Sequence, residues 1–247
     1  MSPRDYAPAQ LLSLFTSSEN DFQVDHITDQ LSYNTLPKYP CFTEIYLATS
    51  IHDIQVGHVN APSTPVIPIW KPGSTVTYTI DIGTFPSHVH VATATIALAS
   101  AAQQWNDSLI PVNFRSAGPD EHATFVLKYG KRAGNVRVLA SAFLPDHFDP
   151  TMYIYPLAFT TPYRRDMDKV FQHELGHVLG LRHEFAATSE THSVQIGSSN
   201  SLSVMNYHND LNFGIQPSDV EGLKALYKLK SGQFINGFMV DVLDPEQ

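Results

Sequence analysis

The sequence holds a single cysteine, Cys41, so no disulfide can close within the chain and a small cystine-stapled scaffold is excluded. Basic residues are scarce: 15 Lys and Arg stand against 24 Asp and Glu, a net charge of −9 with no basic block. That excludes a surface built to neutralise nucleic-acid phosphates. Long hydrophobic runs are also missing. The apolar patch from Leu11 to Phe15 is too short for the core of a signal peptide, and no stretch approaches the length of a membrane span. Without a recognisable leader or a disulfide, the compartment stays open between the cytoplasm and a non-standard export route, with no nucleic acid expected as a partner and no membrane span expected. What the chain does have is a 43% hydrophobic composition over 247 residues, enough to bury a sizeable core and to exclude wholesale disorder. It also has 12 histidines, an unusual richness.

Residues 1–66 differ from the rest. They carry Arg4 and Lys38 against seven acidic residues and run into Pro62, Pro65, Pro68 and Pro72, which favour extended chain over helix. They read as an N-terminal extension, a possible prosegment, leading into a domain over 67–230 and a C-terminal tail over 231–247. Within the domain, Val76, Tyr78, Ile80 and Ile82 alternate with polar residues, the pattern of a half-buried strand. Ser87 is placed to cap a helix with Val91, Ala94, Leu98, Ala101, Ala102 and Trp105 on one face. Short strands are expected over 112–115, 123–129 and 136–143, and another over 152–159, where Pro156 argues for a sheet edge. A helix is expected to start near Asp166, then a Ser/Thr-rich loop over 185–201. A last helix is expected to open at Ser218 with Glu221 completing a capping box and Val220, Leu223, Leu226 and Tyr227 buried. That order suggests an α+β fold around a single sheet.

The chemistry concentrates in HELGHVLGLRHE, residues 173–184. On a helix, positions four apart lie about 40° apart around the axis and roughly 6 Å along it, so His173 and His177 can converge on one ion. Phe171, Leu175, Val178 and Leu179 form the opposite, apolar face. Gly180 stands where a left-handed helix cap is expected, a turn that would let His183 return as a third ligand. Three imidazoles around one zinc leave a coordination position open, the arrangement of a catalytic site. Glu174 is then the natural base for a zinc-activated water. A lone histidine is more often a packed or surface residue. All five fixed positions together are expected by chance on the order of 10⁻⁵ to 10⁻⁴ times in such a composition. The nine other histidines have no comparable spacing and read as structural, with His208 alone a candidate to border a cleft.

The long motif His173-Glu174-x-x-His177-x-x-Gly180-x-x-His183 resembles the signature of the metzincin clan of zinc endopeptidases. SVMNY (203–207) supplies Met205 at the place of that clan's methionine turn. Glu184 after the third histidine, and Tyr207 two after the methionine, are similar to astacins; LASAFLP (139–145) followed by MYIYP (152–156) is similar to matrixins. Asn206 stands where astacins have histidine. The resemblance, over about 67–230, implies a two-lobed zincin fold: a twisted, mostly parallel sheet with one antiparallel edge strand above the cleft, an active-site helix and a C-terminal helix. It implies a zinc metalloendopeptidase acting on protein or peptide substrates, with one catalytic zinc on His173, His177 and His183 and with Glu174 as general base. By the astacin analogy Tyr207 would ligate the metal or donate to the oxyanion; otherwise it is packing beneath the site. Met205 is expected as a soft apolar base beneath the histidines. Glu184 would, by the same analogy, pair with a new N-terminus after processing, or is a solvated charge. An extended substrate is expected to pair with the edge strand near 152–156. In matrixins a prosegment cysteine occupies the fourth zinc position and holds the enzyme latent. Cys41 is a candidate for that role although its flank, KYPCFTE, lacks the matrixin pattern; the bland alternative is a buried free thiol. A zincin-fold peptide-binding module, catalytically silent or latent, is the competing reading, against which the intact Glu174 speaks.

Overall fold

The computed structural model describes residues 41, 43, 65–131, 138–161, 163–190, 193–208 and 214–246. The remainder of the N-terminal extension, and the start of the strand expected at residue 136, lie outside the described residues.

Two sheets are present where the order of elements suggested one. The larger is five-stranded in the order β3-β2-β4-β6-β5. It comprises β2 (Thr75–Ile80), β3 (Asn113–Ser116), β4 (Phe125–Tyr129), β5 (Ala140–Ser141) and β6 (Thr151–Ile154). β2 pairs in parallel with both β3 and β4, and β4 with β6, while β5 runs antiparallel along β6 as the edge. β2 is interior to the sheet and buried more fully than its alternation suggests. Thr77 is buried beside Val76 and Tyr78, and its hydroxyl accepts from the Thr124 amide at 3.0 Å, so the extra polar group is satisfied.

Residues 152–159, expected to be one edge strand, divide in two. β6 stops at Ile154, and Pro156 opens a 3-10 turn (Pro156–Phe159) at a position where no N–H is required. The proline therefore does not push β6 outward. β6 is interior, and the edge belongs to β5.

Against this sheet pack α1 (His88–Asp107) and α2 (Met167–Val178). Ser87 caps α1 as expected, its side chain accepting from the His90 amide, and the predicted apolar stripe from Val91 to Trp105 is buried. The Trp105 indole donates to the Gln172 carbonyl at 3.0 Å and so ties α1 to α2. In α2, Asp166 occupies the cap position without a side-chain bond, because a 3-10 turn over Tyr163–Asp166 already leads into the helix. Phe171, Leu175, Val178 and Leu179 are all fully buried. At roughly 1.5–3 kcal/mol for each such side chain, they fix the helix on the sheet.

α3 (Ala186–Ser189) is a single turn inside the expected loop. α4 (Pro217–Leu226) packs into the core through Leu223 and Leu226. Its capping box is not Ser218–Glu221. Gln216 is the cap, and Asp219 accepts the Gln216 amide at 2.8 Å; Pro217 takes the first helical position, so the cap lies two residues before the expected one, and Glu221 is exposed. Leu223, Leu226 and Tyr227 are buried as expected, Val220 only partly.

The segment read as a tail forms the second sheet. β7 (Phe234–Ile235) and β8 (Phe238–Leu243) make a hairpin through Asn236-Gly237, both with positive φ, the dipeptide that two-residue hairpins favour. β8 then pairs in parallel with β1 (Val66–Trp70), from Val66↔Met239 to Trp70↔Leu243. Pro68 is tolerated in β1 because β1 is an edge of that sheet.

β1 reaches the end of α2. The Trp70 indole donates to the Val178 carbonyl at 2.7 Å and the Tyr227 hydroxyl to the Leu179 carbonyl at 3.0 Å. Two of the carbonyls left over at the helix end are thereby satisfied. Gly180 follows with φ +92°, and a Cβ there would stand 2.8 Å from the Pro68 carbonyl oxygen, so both conformation and space demand glycine. The chain turns and returns His183 to the face it left.

Candidate active site

The three motif histidines converge. Their Nε2 atoms lie 3.2 Å apart for His177 and His173, and 3.3 Å for His173 and His183. A tetrahedral ion with Zn–N bonds of about 2.0–2.1 Å separates two ligand nitrogens by about 3.3 Å, so this spacing fits zinc. The opposite nitrogens are all engaged. His173 Nδ1 lies 2.8 Å from the Val204 carbonyl, His177 Nδ1 2.8 Å from the Leu181 carbonyl and His183 Nδ1 2.8 Å from Oε1 of Glu190. Those acceptors hold the proton on Nδ1 and leave the three Nε2 lone pairs facing one another. Burial is the main reason that the imidazoles resist protonation: His173 is lowered to about 3, His177 well below the ordinary range, and His183 in the same direction. The set is therefore neutral and competent to bind metal at ordinary pH.

Met205 lies under the site as expected. It is buried, and a Cβ built on Gly176, in the last turn of α2, would collide with its sulfur. The small residue at 176 is thus what allows the methionine turn to approach the helix, and that turn carries the Val204 carbonyl that holds His173. Asp219 anchors it from below, accepting from the Ser203 hydroxyl at 2.6 Å and the Val204 amide at 3.0 Å. His208 is bonded to the Ser203 carbonyl at 2.8 Å, a bond that fastens the chain just after Tyr207 to the turn. Gly176→Ala is expected to displace Met205 and cost about 1–3 kcal/mol of stability, as overpacked cores do. A thermal melt of the two proteins checks it; an unchanged melting temperature would mean that the turn yields freely.

Glu174 is 2% exposed beside the histidines, and burial pushes its carboxyl up to about 8, against hydrogen bonds from Cys41, Thr43 and the Ala142 amide that pull it down. Tyr207 also reaches the site, its ring centroid 4.7 Å from that of His183 and 6.1 Å from that of His173. Glu184 does not face the metal position. Its amide donates to the Met205 carbonyl at 3.1 Å, and its carboxylate accepts the Asn200 amide.

Cys41 is here as well. It is buried, and its sulfur joins the three histidines in a set whose ligand atoms all lie within 4.8 Å of one another. The sulfur lies 3.3 Å from Glu174 Oε2 and 2.9 Å from the Thr43 hydroxyl, and the Cys41 amide donates to the Tyr207 hydroxyl at 3.0 Å. Burial, then the neighbouring Glu174, push the thiol pKa up. A coordinated zinc reverses that preference, since a coordinating thiol is deprotonated. Thr43 lies beside the thiol. Its hydroxyl accepts from the Ala142 amide, just past β5, at 2.9 Å and lies 3.3 Å from Glu174 Oε2, to which it donates. Neither Thr43 nor Glu190 is visible in the motif. The one sequence hint for Thr43 is its place two residues from the lone cysteine.

The matrixin family profile matches residues 69–228, well over half of the chain. The chain belongs to the matrixin family. As a matrixin it is a zinc metalloendopeptidase that hydrolyses peptide bonds of protein substrates, with one catalytic zinc on the three histidines. The metzincin resemblance thus holds, and the astacin-like Glu184 and Tyr207 sit within a matrixin. Among solved structures, this matrixin is similar to myroilysin, with 16% identity and a TM-score of 0.47 over 64% of this chain and 82% of that one. It is also similar to high choriolytic enzyme 1, a hatching-enzyme zinc protease of the medaka fish Oryzias latipes, with 13% identity and a TM-score of 0.44 over 71% of this chain and all of that one. No curated protein matches the chain. Among the described residues, no helix is long and apolar enough to cross a membrane.

Proposed function

We propose that the arrangement described here is the latent form of the protease, with residues 1–66 acting as a prosegment whose Cys41 supplies the fourth zinc ligand. The observation that carries this is the sulfur of Cys41 inside the histidine set. Four protein ligands close a zinc site, whereas hydrolysis needs one position open to water. Thr43 acts beside it, engaging both Glu174 and the Ala142 amide at the sheet edge.

Bound zinc supplies Lewis-acid polarisation of the scissile carbonyl and acidifies a water. The protein's own residues do the rest once Cys41 and Thr43 leave. Glu174, beside the metal position and freed of Cys41 and Thr43, takes the proton from the water and returns it to the leaving amine. The Tyr207 hydroxyl, relieved of the Cys41 amide, donates to the developing oxyanion. The edge at β5, not the segment 152–156, holds the substrate, because the Ala142 amide is the main-chain donor beside Glu174 that Thr43 now engages.

The test uses an unstructured protein as substrate and reads fragment masses directly. Cleavage is expected to be slow in the intact chain and faster after loss of the N-terminal segment. It should stop with a zinc chelator and return when zinc is restored. Cleavage that survives the chelator would overturn the reading.

A further inference from the structure

The three zinc ligands are not held alike. His173 and His177 sit one turn apart on α2, whose hydrogen-bonded backbone fixes their direction, and each gives its Nδ1 proton to a main-chain carbonyl. His183 lies beyond the Gly180 turn, off the helix, and its Nδ1 faces a side-chain carboxylate, Glu190 Oε1, at 2.8 Å. Glu190 is itself built in. Its side chain is 10% exposed, and its other oxygen lies 3.3 Å from Nε and 3.2 Å from Nη2 of Arg182. The single turn of α3 brings it there: the Ala186 amide donates to the His183 carbonyl and the Glu190 amide to the Ala186 carbonyl, both at 2.9 Å. The His183 ring is meanwhile flanked by Phe185, nearly parallel with centroids 4.8 Å apart, and by Tyr207 on edge.

We propose that Glu190 is the positioning residue of the third zinc ligand: from the loop after the motif, its carboxylate orients His183 and sets how tightly the site holds its metal. A carboxylate bonds an imidazole N–H more strongly than a carbonyl does and makes the other nitrogen a better donor. Arg182 neutralises the buried charge and keeps the carboxylate aimed, so that His183 gains from its loop the rigidity that α2 gives the other two. The segment 184–190 thereby becomes part of the metal site, although the motif ends at His183.

This rests on the zinc reading, and the experiment separates the two. The intact chain and its Glu190→Gln variant are stripped of metal, and zinc affinity is measured by competition with a chromophoric chelator. The intact chain is expected to take up one zinc, and the variant to bind it about 10–100-fold more weakly, as loss of such a partner typically does. Cobalt in place of zinc reads the geometry: the visible bands of the variant should shift, while both metal-free proteins remain folded, the variant melting lower for want of the Arg182 pair. Glu190→Asp, which keeps the charge on a shorter arm, is expected to fall between and serves if Glu190→Gln does not fold. Zinc affinity within about twofold of the parent, with unshifted cobalt bands, overturns the role of Glu190 alone. Failure of the parent to bind zinc overturns the zinc reading itself.

Discussion

Cys41→Ala in the full chain is expected to raise cleavage of an unstructured protein by on the order of 10–100-fold, the gain if only roughly 1–10% of the molecules are otherwise competent. The variant removes the sulfur from the histidine set and so opens the fourth position. It spares the backbone of residue 41, so the amide can still reach the Tyr207 hydroxyl, and Thr43 can still span Glu174 and the Ala142 amide. The increase should therefore fall short of that reached by removing the segment altogether. Initial rates for the intact chain, the variant and the processed form, at equal zinc content, give the comparison. Equal rates for the first two would reduce Cys41 to a buried thiol that happens to lie near the metal position.

Glu174→Gln is expected to lower turnover of the processed enzyme by about 10²–10⁴-fold, the usual span for a general base. Zinc content should not change, because Glu174 lies outside the set of ligand atoms that converges on the ion. Glutamine keeps the volume of the side chain and one carbonyl acceptor, so the position beside the histidines is not left empty. What it loses is the ability to take a proton. Burial raises the carboxyl to about 8 while Cys41 and Thr43 cover it; their departure admits water and lowers it, so turnover of the processed wild type should rise with pH as the base ionises. The variant's residual rate should lack that rise. Wild-type turnover in the variant at full zinc occupancy would remove Glu174 from the chemistry.

Much of the site is legible in the sequence because it is local. His173, Glu174 and His177 are spaced by helix geometry, and Gly180 announces the turn that recovers His183. The stripe from Val91 to Trp105 and the cap at Ser87 are local in the same sense, and each appears where its pattern places it. What escapes is long-range or competes with a second local rule. Pro156 signals a break as well as an edge, and the break prevails, leaving β6 interior. Pro217 and Asp219 outweigh Ser218 and Glu221 because a proline at the first helical position and an acid that bonds the cap amide act together. The hairpin at Asn236-Gly237 carries a local signal, but its pairing with β1, some 170 residues earlier, carries none. Thr43 and Glu190 belong to this second kind. Each matters through one atom brought close by the fold, with no periodic pattern behind it.

The ladder between β1 and β8 also decides what a cut ahead of the catalytic domain does. The strand that follows the N-terminal segment is gripped along its whole length by the other end of the chain, from the Pro65 carbonyl, which accepts the Met239 amide at 3.0 Å, to Trp70 opposite Leu243. A nick upstream of Pro65 breaks no rung. The freshly exposed terminus stays moored to the C-terminal hairpin, and the brace from Trp70 to the end of the zinc helix stays in place, so the proposed prosegment could leave without unfastening the frame that holds the metal.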